Sequence, residues 1–150
     1  EYVSDLAQIR GLSMSTEERN ALPGSVLFTN IFQSIALIRS SQGEYVYDMT
    51  TRQLIWLPDS LDSTMIALGK DEGWYILFTK NTVYQYNRFG RTSLQQLLSY
   101  EIGDVTLQWG DRYTEMTYQK ETIKLQGYWW PIQKEKKTYF TDGLRVFFIK

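Results

Sequence analysis

Short apolar runs separated by turn residues organise this chain, and the longest such runs hold only four or five residues. The run EYVYDM places Tyr45 and Tyr47 on one face of a strand and Val46 on the other. The centre of TTRQLIWLP, Leu54 to Leu57, is apolar on both faces and predicts an interior strand. WYILFT and VYQYN, joined by the turn KNT, predict a hairpin. Further strands are expected at VTLQW, YTEMTYQ, TIKLQGYWW, KTYF and LRVFFIK, and Val26 to Arg39 reads as one extended stretch followed by a turn at SSQG. No internal repeat and no low-complexity stretch is visible in the sequence.

Helical signals are fewer. Residues 15–22, STEERNAL, begin with a capping box of Ser15 and Glu18 and stop at Pro23-Gly24. DSLDSTMIALG predicts a short helix ended by Gly69. TSLQQLLSYE, residues 92–101, predicts the best-formed helix: Thr92 and Gln95 form a second capping box, and Leu94, Leu97 and Leu98 a stripe. The fold class expected is α+β, mostly antiparallel sheet with a few short helices. At 150 residues the chain predicts a single domain, and its end directly after VFFI suggests a domain taken from a longer polypeptide.

Composition narrows the chemistry. A hydrophobic share of 43% with 15% aromatics fits a packed aromatic core. There is no histidine and no cysteine, which removes the commonest general base, thiolate nucleophiles and most zinc sites. The net charge of −1 argues against tight, non-specific binding of nucleic acid, which needs many phosphates neutralised. No run approaches the roughly 20 apolar residues of a membrane-spanning helix, so no membrane partner is expected, nor any cofactor or catalysis. Asp71, Glu72, Asp104, Asp111 and Glu115 are scattered acids best read as solvated turns. Lys134-Glu135-Lys136-Lys137 reads as a charged hairpin tip, with phosphate contact as the alternative. In GYWWP, adjacent residues of a strand point to opposite faces, so Trp129 and Trp130 cannot stack on one ligand. One of them is expected in the core, the other on the reverse face or against a partner.

The order of TRQLIWL (51–57), NRFGRTSLQQLL (87–98), GYWWP (127–131) and GLRVFFIK (143–150) resembles the cap-binding domain of polymerase basic protein 2 of influenza-type viruses, as a distant, thogotovirus-like orthomyxovirus relative. The likeness spans about residues 22–150 and requires a shortened segment between Pro58 and Trp74. It implies a non-catalytic domain of a viral RNA polymerase subunit serving cap-snatching transcription. The implied partners are the other polymerase subunits and capped RNA, and the implied location is the host nucleus and virion. In that family two aromatic plates sandwich the methylated guanine. Here the plate positions fall on Asn30 and Gly69, the guanine-reading acid on Ser34, the assisting lysine on Met49, and a phosphate-contacting histidine on Gln95. Losing two plates at about 1–3 kcal/mol each implies a degenerate site with little or no cap binding of its own. One alternative is a rearranged cap site with Phe28, Phe32, Trp56 or Trp74 as substitute plates and Arg88, Arg91, Lys134, Lys136 and Lys137 as RNA contacts. Another is an unrelated β-rich protein-interaction module, which the tyrosine-rich strands would also suit outside the cell.

Overall fold

The computed structural model describes residues 6, 9–58, 61–90 and 94–149. As expected, the chain is mostly antiparallel sheet with little helix. The strands form four consecutive sheets. β1 (Ser25–Asn30), β2 (Ile35–Ser40), β3 (Gly43–Asp48) and β4 (Gln53–Trp56) make the first. β5 (Met65–Leu68), β6 (Trp74–Phe78), β7 (Val83–Asn87) and β8 (Gln95–Gln96) make the second. The third holds β9 (Ser99–Ile102), β10 (Val105–Gly110), β11 (Tyr113–Tyr118) and β12 (Glu121–Gln126). β13 (Trp130–Lys134), β14 (Lys137–Thr141) and β15 (Val146–Phe148) pair in the fourth. Every sheet is a meander whose neighbours in space are neighbours in sequence. The repeat that the sequence does not show is therefore present in the structure, carried by strand order rather than by residue identity.

Tight turns set these registers. Gln119-Lys120 and Glu135-Lys136 both have φ between 50° and 68°, the two-residue geometry whose twist matches antiparallel strands. The 134–137 segment is thus a hairpin tip, with Lys134 opposite Lys137. β3 alternates as expected: Tyr45 and Tyr47 pack in one cluster and Val46 in another. The hairpin β6–β7 also forms where the pattern placed it. The capping box is present, with Ser15 Oγ accepting from Glu18 N–H at 3.1 Å, and it starts α1 (Thr16–Ala21). Glu18 also accepts from the Tyr47 hydroxyl at 2.8 Å, which helps hold its carboxyl below the usual carboxylate range.

Several expectations are corrected. Val26–Arg39 is not one extended run but β1 and β2 around a turn at residues 31–34. β4 is an edge strand that pairs only with β3, and Leu54 and Trp56 are exposed. Residues 61–64 are irregular and Met65–Leu68 is strand, so the helix ending at Gly69 does not form; Asp59 and Ser60 lie outside the described residues. The helix expected over 92–101 is replaced by β8 and β9, with Thr92 and Ser93 outside the described residues. Trp129 and Trp130 are both fully buried.

Packing explains the double burial. β6 is buried on both faces: Tyr75 and Leu77 meet Ile35, Leu37 and Val46 of the first sheet, while Ile76 and Phe78 face the third and fourth. Phe78 touches Trp109, Tyr128 and Trp130 at ring separations of 5.8, 5.3 and 5.6 Å. Phe28 of β1 meets Trp130 edge-on at 5.9 Å, which brings the fourth sheet back onto the first. Each sheet therefore packs against the next around a shared aromatic centre, an arrangement that resembles the radial blades of β-propellers. Trp129 lies against Phe147 and under the Arg145 guanidinium, and its Nε1 donates to Gln126 O at 3.0 Å. Pro131 sits in β13 at the edge of its sheet, where its missing N–H costs no ladder bond.

Candidate binding surface

Successive turns of an antiparallel meander alternate between its two ends. Within its own sheet each of the turns after β1, β3, β5, β7, β9, β11 and β13 therefore lies at the end marked by that sheet's first turn, and crevices join several of these turns across sheet boundaries. One of about 200 Å³ is lined by Gln33 from the β1–β2 turn, Leu68–Lys70 after β5, Tyr100 and Ile102 of β9, and Gln133 of β13. All four sheets contribute to it. A second, of about 370 Å³, joins Asp48 and Thr51 of the β3–β4 turn to residues 68–75 and Arg88. A third, of about 220 Å³, lies between Trp74, Gln85 and Tyr100. The three adjoin at Gly69-Lys70. A fourth, of about 390 Å³, separates the β9–β10 turn from Lys136–Thr138. The turns thus make one continuous, creviced face on a rigid β scaffold.

Hydrogen bonds fix this face. Asn30 Nδ2 donates to Gln33 Oε1 at 2.8 Å and to Ile66 O at 3.0 Å, while Gln33 N–H donates to Asn30 Oδ1 at 3.2 Å. Gln33 Oε1 also accepts from Leu68 N–H at 2.9 Å, so two side-chain amides tie the first sheet to the second. Lys70 N–H donates to the Tyr100 hydroxyl and Lys70 Nζ to Glu101 O, tying the second sheet to the third. Burial pushes the Tyr75 and Tyr100 phenols up, as it does Tyr45, Tyr47 and Tyr128. A raised folded-state value means the fold holds the proton more tightly than the unfolded chain. That contribution to stability is complete below the ordinary tyrosine pKa of about 10 and is lost as pH rises through the folded values. Absorbance titration at 295 nm should therefore show a group of tyrosines ionising late and together with alkaline unfolding. Ionisation of every tyrosine at about pH 10 with the fold intact would contradict the packing described.

The positions aligned with a cap site do not converge on one cavity. Asn30 is 1% exposed and spends its amide on the bonds above. Ser34 stands in the β1–β2 turn, with its Oγ accepting from Leu12 N–H at 2.8 Å. Met49 is buried against Tyr45 and Tyr47, and its N–H donates to Ser34 O. Gly69 lines the crevices, and a β-carbon there would lie 2.7 Å from that of Trp74. Gln95 sits in β8 opposite Gln85.

Nor do the substitute aromatics form a sandwich. Phe32 is core, Phe28 packs on Trp130, and Trp56 leans on Tyr45 at 4.8 Å, too close to admit a base between them. Of the four, Trp74 lines a crevice. Among the basic positions, Arg88 lines the 370 Å³ crevice and Lys136 and Lys137 the 390 Å³ one; Lys134 Nζ approaches Arg10 O, and Arg91 lies outside the described residues. Sequence reading missed Gln33, Lys70, Tyr100 and Gln133, because each is unremarkable until the turns are brought together. Among the described residues no three potential metal ligands cluster, and no helix is long and apolar enough to cross a membrane. Neither a family model nor a curated protein matches this chain.

Proposed function

We propose that this chain is a non-catalytic, β-rich interaction module that binds a protein partner through its turn face. The observation that carries this reading is the convergence of turns from all four sheets on one creviced surface. Sites built from turns on a rigid scaffold are a recurrent way of presenting binding groups. Trp74, Tyr75, Arg88 and Tyr100 supply the side-chain types that dominate binding energy at protein interfaces. The viral cap-binding resemblance is the weaker reading on this geometry, since its Q-L-L segment is strand and loop rather than helix and, of its aligned positions, Asn30 and Met49 are buried in packing.

The test compares the chain with a charge-reversed turn variant, Arg52→Glu, Glu72→Lys and Lys136→Glu, all at exposed positions. A partner captured by the immobilised chain should be retained at least tenfold less by this variant, with an unchanged melting temperature. Capture that survives the turn variant but is lost on reversing Lys80 and Asp111, in turns at the opposite ends of their sheets, would overturn the proposal. A parallel titration with a methylated cap analogue, against an unmethylated control, should leave tryptophan emission unchanged to millimolar concentration. Saturable quenching at micromolar analogue would favour the cap-binding reading instead.

A further inference from the structure

Of the crevices on this face, the one between the β3–β4 turn, the β5–β6 turn and Arg88 has the most distinctive chemistry. Its walls include the half-buried Trp74 and buried Tyr75, and its rim carries Asp48, Asp71 and Glu72 beside Lys70 and Arg88. The two cations are already engaged. Lys70 Nζ donates to Glu101 O at 3.1 Å and stands 5.5 Å from the centre of the Tyr100 ring, on the side of the third sheet. The Arg88 guanidinium lies 4.6 Å from the centre of the Phe89 ring. The acids are differently placed. Among the described residues the ion pairs are Arg39–Glu44, Arg39–Asp62, Arg112–Asp111 and Arg145–Asp142, so none involves Asp48, Asp71 or Glu72. Asp48 Oδ1 is occupied by the N–H groups of Thr50 and Thr51, while Asp71 and Glu72 are exposed at the mouth.

From this charge complementarity we infer that the crevice receives a basic side chain of the protein partner, an arginine in preference to a lysine. The inference rests on the interaction-module reading and specifies its partner. A planar guanidinium can lie against the Trp74 face while its edge donates to the Asp71 and Glu72 carboxylates; a lysine ammonium lacks the flat surface and the forked donors. The crevice volume of about 370 Å³ is ample for one such side chain.

Nuclear magnetic resonance titration of the chain with N-acetyl-arginine methylamide reads this directly, with the citrulline analogue as a neutral probe of the same shape. The expected result is a concentration-dependent shift of the Trp74 indole N–H and of the backbone amides of residues 70–74 and 88, at least fivefold smaller with citrulline. Asp71→Asn with Glu72→Gln should weaken the response at least threefold, and Trp74→Leu should abolish it, while amides of the third and fourth sheets keep their positions. An equal response to citrulline, or none to the arginine probe at 50 mM (roughly the limit of a weak single-side-chain contact), would overturn the inference. If partner capture still depends on the turn face in that case, only the arginine assignment fails. If capture is also indifferent to the turn variant, the module reading fails with it.

Discussion

Trp130→Ala is expected to destabilise the chain by about 3–5 kcal/mol, the range for deleting a large buried aromatic. The indole is completely buried and lies where the sheets meet: it touches Phe28 of β1 edge-on and Phe78 of β6 at 5.6 Å. Gly143, before β15, passes close enough that a β-carbon there would sit 3.4 Å from the Phe28 ring and from the Trp130 indole. Alanine would leave a cavity bordered by the first, second and fourth sheets at once, and rigid sheets collapse poorly onto such a void. Trp130→Phe should cost much less, because it keeps a ring and removes an indole N–H that is buried without a hydrogen-bond partner among the described residues. Denaturant unfolding of both variants measures the contrast. A loss below about 1.5 kcal/mol for the alanine variant would mean that the sheets do not share this centre.

The same tryptophan shows what the sequence could convey. That Trp129 and Trp130 do not both stack on one ligand follows from the period of two. That both are buried does not, because Trp130 meets Phe28 and Phe78 of sheets distant in the chain, while Trp129, just before β13, is covered by Phe147 and the Arg145 guanidinium. Local hairpins such as β6–β7 were legible because alternation and turn residues act over a few positions. The helix expected at 92–101 fails for the opposite reason. Leucines at 94, 97 and 98 satisfy a helical spacing, yet Leu97 and Leu94 are used to pack against different clusters from a strand–loop–strand path. Helix propensity is a fraction of a kcal/mol per residue and is overridden by such burial. The turn face was the least legible feature. Its residues, Gln33, Lys70, Arg88, Tyr100 and Gln133, are spread over all four meanders and share no motif. The available signal was the regular return of turn residues between short strands, which points to repeated sheets rather than to a site.

Asn30 offers the second large effect, and it links stability to the proposed surface. This position aligns with an aromatic plate in the cap-binding resemblance, but its side chain is buried and makes three hydrogen bonds, to the Ile66 carbonyl and to the side chain and backbone of Gln33. Asn30→Leu keeps the approximate volume and removes all three. The Ile66 carbonyl then loses its side-chain partner in a buried setting, at about 1–3 kcal/mol for a group left unsatisfied, while the Gln33 N–H keeps the Asn30 backbone carbonyl at 3.3 Å. Asn30→His, the substitution that would restore the missing plate, should be similarly destabilising, since the imidazole has neither the room nor the same donor and acceptor pattern, and it should produce no cap response. The damage should also spread in a defined direction. Gln33 Oε1 accepts from Leu68 N–H, so a freed Gln33 loosens the strand end that carries Gly69 and Lys70. Hydrogen exchange at residues 68–70 should accelerate in Asn30→Leu well before exchange in the β10–β11 pair. Uniform acceleration through all four sheets would show that Asn30 supports the core alone; unchanged exchange at 68–70 would break the connection between this buried amide and the turn face.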